Sequence, residues 1–250
     1  MNSAHFSYVQ RLGDNALILG QRLSAWCGHS PFLEEDIAMA NTALDLIGRA
    51  RMLYTHAAAI EGQGRDEDAL AYGRDERQFG NFLICELPNG DFAFTLMRQY
   101  LIDEYHHQLF QVLCMSGDAT LAAIAAKAVK ETAYHVRRSG DWVVRLGDGT
   151  DESHRRCQCA LDDLWAYTGE FFAGDAIDSA MAAQGIGVDP AELAPAWREA
   201  VAAQLKHATL VQPRDDWQAD GGRAGLHTEH MGHLLAELQF LQRAYPGLKW

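Results

Sequence analysis

The chain has 250 residues, 48% of them hydrophobic and 22% charged, the composition of an ordinary water-soluble globular protein. Its 34 acidic residues against 21 lysines and arginines leave a formal charge of −13, which repels nucleic-acid backbones and anionic lipid and argues against both as partners. No apolar run reaches the ~18–20 residues of a membrane span. The opening MNSAHFSYVQR has no basic start followed by an apolar stretch, so no signal peptide is expected. The five cysteines (Cys27, Cys85, Cys114, Cys157, Cys159) are unpatterned, which predicts reduced thiols and a cytoplasmic setting. Cys157 and Cys159 stand two apart, about 200° around a helix, a poor zinc half-site.

Prolines are absent from 89 to 189, and the intervening sequence is rich in Ala, Leu and Met. The fold class expected is all-α, a ferritin-like helical bundle with additional C-terminal helices, in one domain over 1–250. Helices are expected at 5–28, 31–61, 90–116, 118–146, 151–183, 190–208 and 226–244. Ser30-Pro31 signals the second start, with Glu34, Glu35 and Asp36 near the positive helix end. Gly62-Gln63-Gly64 closes that helix, Pro88-Asn89-Gly90-Asp91 opens the third, and Ser116-Gly117-Asp118 breaks it. Gly147-Asp148-Gly149-Thr150-Asp151 separates the fourth from the fifth. Segments 62–89 and 209–225 read as irregular connections. The only β-like run, Asp141-Trp142-Val143-Val144, ends a helical pattern.

Long helices with inward acids and histidines raise the two-metal carboxylate bundle, in which acid-x-x-His pairs place two ligands on one helix face. Three literal pairs occur: Asp103/His106, Glu104/His107 and Asp151/His154. With 34 acids and 11 histidines in 250 residues, chance supplies about 1.5 such pairs, so the count alone proves little. An internal repeat says more. Asn15 and Asp45 echo Asp103 and Thr132 at almost the same separation, as two helix pairs of a bundle should. The second and fourth helices then offer Asp45-x-x-Gly48 and Thr132-x-x-His135. Asn15, Gly48 and Thr132 stand where three of six ligands belong, and none is a carboxylate or a nitrogen donor suited to iron. The cluster Asn15, Asp45, Asp103, Thr132 and His135 is therefore expected to be a vestigial polar core with no catalytic, cofactor-binding or metal role. A buried carboxylate without a cation must find a partner, and His135, Arg49 or Lys130 is expected to supply it.

At these residues a resemblance emerges. LGDNALILGQRLSAWCGHSPFLEEDIAMANTALDLIGRARMLY (12–54), PNGDFAFTLMRQYLIDEYHHQLF (88–110), KAVKETAYHVRRSGDWVVRLGDGTDESHRR (127–156) and GLHTEHMGHLLAELQFLQRAYPG (225–247) resemble the C-type structural subunits of bacterial ring-1,2-phenylacetyl-CoA epoxidases. The resemblance implies a ferritin-like fold and a partner, the catalytic sister subunit. That sister carries the di-iron site and epoxidises the ring with dioxygen and electrons from a reductase. It also implies that a C-type chain holds no cofactor of its own. The sister's Lys-Glu-Glu-x-Phe-His stretch is echoed as Lys130-Glu131-Thr132-Ala133-Tyr134-His135, with Thr132 in the place of a ligand glutamate.

The leading expectation is a non-catalytic scaffold in phenylacetate catabolism, cytoplasmic, pairing with the di-iron subunit and prone to self-association. One alternative is a self-sufficient di-metal oxidase using Asp45, Asp103, Glu104, His107 and His135. Another is a metal-free acyl-CoA-binding module, for which the doublets Arg137-Arg138 and Arg155-Arg156 could meet phosphate. His227, His230 and His233 are spaced to grip zinc but read more simply as capping and interface groups, and Trp165, Tyr167, Phe171 and Phe172 read as packing. No phosphate loop or nucleophile elbow is present.

Overall fold

The computed structural model describes residues 2–248, and among them the chain is helical with no strand. It divides into two compact units: residues 1–88 with 220–250, and residues 89–219.

The first unit is built on a hairpin of α1 (Asn2–Ser24) and α2 (Leu33–Glu61). Glycines let the two helices close. A Cβ at Gly13 would lie 2.6 Å from the Tyr54 ring, and one at Gly20 would lie 3.2 Å from Ile47 and Leu46. The seam buries Val9, Ile18, Leu19, Leu46 and Leu53, each removing apolar surface worth roughly 1.5–3 kcal/mol. The start of α2 lies two residues later than the Ser30-Pro31 signal implies, with Phe32 at the cap position. Glu34, Glu35 and Asp36 fill its first turn as expected, and Gly62 ends it with φ +68°. Two short helices, α3 (Glu67–Tyr72) and α4 (Leu83–Glu86), lie within the stretch read as irregular.

The second unit has its own hairpin, α5 (Phe92–Leu113) and α6 (Ala119–Gly147), capped at their starts by Asp91 and Asp118. Helix α5 is buried on nearly every face. Helix α6 buries one stripe, Leu121, Ile124, Ala125, Ala128, Thr132, His135, Ser139 and Val143, so its polar residues fall in line with apolar ones. Asp141 to Val144 lie inside this helix. Helix α7 (Asp151–Trp165) packs on the hairpin, followed by α8 (Ala176–Ala183) and α9 (Ala194–His207), which also contacts α5 and α6.

The single helix expected over 151–183 is broken. After Trp165 the Thr168 hydroxyl donates to the Trp165 carbonyl at 2.8 Å, and the Gly169 N–H donates to Gln218 Oε1 at 2.8 Å. A Cβ at Gly169 would strike Gln218, and Asp175 then caps a new helix. The helix expected over 226–244 is likewise two, α10 (Glu229–Leu238) and α11 (Phe240–Ala244) of the first unit. At the break the buried Gln239 amide donates to the carbonyls of Ala71 and Arg74. In both places a tertiary hydrogen bond interrupts a pattern that is locally helical.

Candidate functional site

The polar core of the second unit centres on Asp103, on α5. Gln99, one turn earlier, donates its amide to Asp103 Oδ1 at 2.6 Å, and Ser139 of α6 donates to Oδ2 at 3.0 Å. The Ser139 hydroxyl also lies 2.8 Å from the His135 carbonyl. His135 Nδ1 stands 3.9 Å from Asp103 Oδ1, close enough for attraction and beyond hydrogen-bond reach. Asp103, His135 and Ser139 are all buried. Of the three groups expected to offset a buried acid, His135 is thus beside Asp103. Lys130 is exposed, and Arg49 is buried in the first unit.

Thr132 lies further along α6 and is fully buried. Its hydroxyl donates back to the Ala128 carbonyl at 2.9 Å and accepts from His107 Nδ1 at 3.1 Å. The Gln111 amide donates to His107 Nε2 at 2.6 Å. One ring proton satisfies the whole chain of bonds, and both imidazole nitrogens are occupied. Glu104, the partner acid of His107 in the literal motif, accepts from Gln108 at 2.8 Å. The donor set therefore does not fit a di-iron centre. A threonine hydroxyl that donates to its own helix cannot replace a bridging carboxylate, and His107 offers no free lone pair. Among the described residues, Asp45, Asp103, Glu104, His107 and His135 take part in no group of three or more His, Cys, Asp or Glu donor atoms within 4.8 Å of one another.

The other motif residues have different employment. His106 packs between Tyr105 and Phe110, with ring centroids 5.9 Å away on each side. His154 Nδ1 donates to the Gly147 carbonyl at 2.6 Å, closing the end of α6. Phe171 stacks on Tyr105 at 5.0 Å and Phe172 meets Trp197 at 5.3 Å, so those aromatics pack the core. Arg155 and Arg156 are held by Glu152, and Arg156 also reaches Asp91 at 3.0 Å. Burial, helped by Asp91, pushes the Cys157 thiol up to about 12, while Cys159 is exposed.

In the first unit Asn15 is buried, and its side-chain oxygen accepts the Phe82 N–H at 2.7 Å. Asp45 is half-buried on α2. Two networks here escaped the sequence reading. Asp14 is fully buried, where it accepts from Tyr54 Oη at 2.7 Å and from the Gly80 N–H at 2.8 Å, and it pairs with the buried Arg74. Burial pulls the Arg74 guanidinium down, but Asp14 and Tyr54 more than offset this and hold it above its ordinary value. Burial and Asp14 together raise Tyr54.

Glu86, also fully buried, accepts from the Thr228 N–H, from Asn81 at 3.2 Å and from His227 Nδ1 at 2.9 Å. His227 Nε2 faces the Phe79 carbonyl at 3.1 Å. Both nitrogens of His227 thus face acceptors, which only the imidazolium satisfies. Burial lowers the His227 value, yet the Glu86 carboxylate and the Phe79 carbonyl outweigh it, and the net shift is upward. The histidine triplet therefore contains one ion-pairing member. His230 contributes its backbone N–H to the Thr228 cap. No helical pattern or motif marked Asp14, Arg74 or Glu86, because their partners lie far along the chain.

Comparison with known proteins gives concordant findings. The family profile described as "Phenylacetic acid catabolic protein" matches residues 1–250. The chain is 52% identical over 244 residues to the C-type subunit of the 1,2-phenylacetyl-CoA epoxidase of Escherichia coli (strain K12), covering 98% of each.

Proposed function

The chain belongs to the phenylacetic acid catabolic protein family, and from that premise we propose that it is a non-catalytic structural subunit of a phenylacetyl-CoA 1,2-epoxidase. Its work is to hold the di-iron catalytic subunit in an assembled complex in the cytoplasm. The chain acts there as one ferritin-like domain and carries no metal of its own. The observation that carries this reading is the end-to-end identity with a relative named as the C-type subunit of that epoxidase.

The chemistry of the polar core supports it. Thr132 spends its hydroxyl on the Ala128 carbonyl, and His107 spends both nitrogens on Thr132 and Gln111. Asp103 is held by Gln99 and Ser139 with His135 nearby, an arrangement that stabilises a buried acid without a cation. The cluster of Asn15, Asp45, Asp103, Thr132 and His135 is in this reading vestigial. Among the described residues no helix is long and apolar enough to cross a membrane.

The test is metal analysis of the chain purified alone from iron-supplemented cells. Iron well below one atom per chain, unchanged by anaerobic reconstitution, is the expected result. Near two irons per chain would overturn the reading and restore the di-metal oxidase. Epoxidation of phenylacetyl-CoA should then require the catalytic subunit and vanish with its removal.

A further inference from the structure

Helix α2 carries an apolar stripe that the described residues leave open to solvent. Leu33, Ile37, Leu44 and Ile47 fall within about 80° of one helix face and extend for about 21 Å along it, with Phe32 at their head. These five side chains are between 37% and 71% exposed. The small Ala40 lies on the same face between Ile37 and Leu44, leaving a shallow trough. At its far end the stripe runs into a cleft of about 350 Å³ whose floor is Leu17, Ile47, Ala50 and Ala71. Tyr72, Glu67 and Asp68 stand on its rim beside Arg51. A continuous exposed patch of this kind marks an interaction surface.

The charges around the stripe identify what fits it. Glu34, Glu35 and Asp36 stand at its head, and Asp66, Glu67 and Asp68 at its foot. Against these six acids the cation lining the cleft is Arg51, which is already held by Glu67 at 3.1 Å. A second copy of this chain, laid in either direction, brings acid onto acid at both ends. Like charges across an interface are a strong discriminator against a partner. We propose that this face of α2 receives an amphipathic helix of a different polypeptide. That helix has aliphatic residues along some four turns, flanked at both ends by lysine or arginine. One large side chain fills the cleft and a cationic head near it meets Asp68. The geometry is that of a helix laid on an apolar groove, with anchors at i, i+4 and i+11. The proposal rests on the reading of the chain as a subunit and names the chemistry of the partner it receives.

The experiment uses the full chain co-expressed with the remaining subunits of its own epoxidase. A photo-cross-linking amino acid replaces Leu44 in one variant and the exposed Val211 of the second unit in another. In parallel, Leu44→Asp and Ile37→Asp are compared with wild type for co-purification at low and high salt. The melting temperatures of the two aspartate variants, unchanged because both positions are exposed, show that the fold survives. The expected result is a cross-link from position 44 to a helix of another subunit with Lys or Arg at its flanks. Each aspartate variant should bind more than tenfold more weakly, and wild-type binding should weaken as salt rises.

A cross-link from position 44 to a second copy of this chain overturns the proposal. So does co-purification unchanged in both aspartate variants, with links forming only from position 211; that outcome leaves the scaffold reading standing. If no other subunit co-purifies with wild type, the scaffold reading fails and this surface fails with it.

Discussion

The two units bury polar side chains for different ends. In the first, Asp14, Asn15 and Glu86 reach out to chain that lacks a regular partner. They accept the backbone N–H groups of Gly80, Phe82 and Thr228, and the two acids also gather Arg74 and His227. In the second, Asp103, Thr132 and Gln204 work between helices already saturated along their own backbones. There Gln99 and Ser139 meet Asp103, His107 meets Thr132, and Gln204 donates to the Gly140 carbonyl at 2.7 Å. A buried N–H without a partner costs about 1–3 kcal/mol, so an irregular segment such as 73–82 needs side-chain acceptors to stay folded. A helical hairpin has no such need. Its polar core is left over for other uses, which is where a metal site could have stood and where this chain instead carries Thr132.

The contrast predicts a graded series of losses. Arg74→Met should be the most damaging, because it strands the Asp14 carboxylate in a fully buried place; a loss of about 3–5 kcal/mol is expected in denaturant unfolding. A loss below about 1 kcal/mol would remove the first unit's network as a stabilising element. Asp103→Ala should cost less, about 1–3 kcal/mol, since it deprives the Gln99 amide and the Ser139 hydroxyl of an acceptor. Were it to match Arg74→Met, the distinction between the two units would collapse. Asn15→Ala should cost about 1–2 kcal/mol by leaving the buried Phe82 N–H unsatisfied, and hydrogen exchange at Phe82 should quicken while the amides of α6 stay protected.

The smallest effect is a dependence on pH. The folded value of His227 lies above the ordinary imidazole value of 6.5. Its contribution to stability is therefore complete below about pH 6.5 and is lost as pH rises through the raised value. Melting temperature against pH should show this decline in the wild type, and His227→Gln should flatten it. An identical decline in both proteins would assign it to another group.

Much of the fold was legible from residues alone. Proline-free stretches rich in Ala and Leu, together with Asp91, Asp118 and Thr150 as caps, marked the two long hairpins, because helix propensity and capping are local properties. The breaks at Trp165 and Gln239 were not legible, since each depends on a side chain or carbonyl from a distant segment. At the candidate site, the substitution of Thr132 for an acid could be read directly. The use of that threonine, as acceptor for His107, could not.

The sequence by itself determined the helical class, the family and the loss of metal-ligand chemistry at Asn15, Gly48 and Thr132, because each follows from residue type and spacing along one chain. Only the tertiary structure decided that Asp14 and Glu86 are fully buried ionic anchors, that His227 needs its proton, and that one face of α2 lies open. Burial and pairing are set by groups dozens of residues away, and no local pattern carries that information.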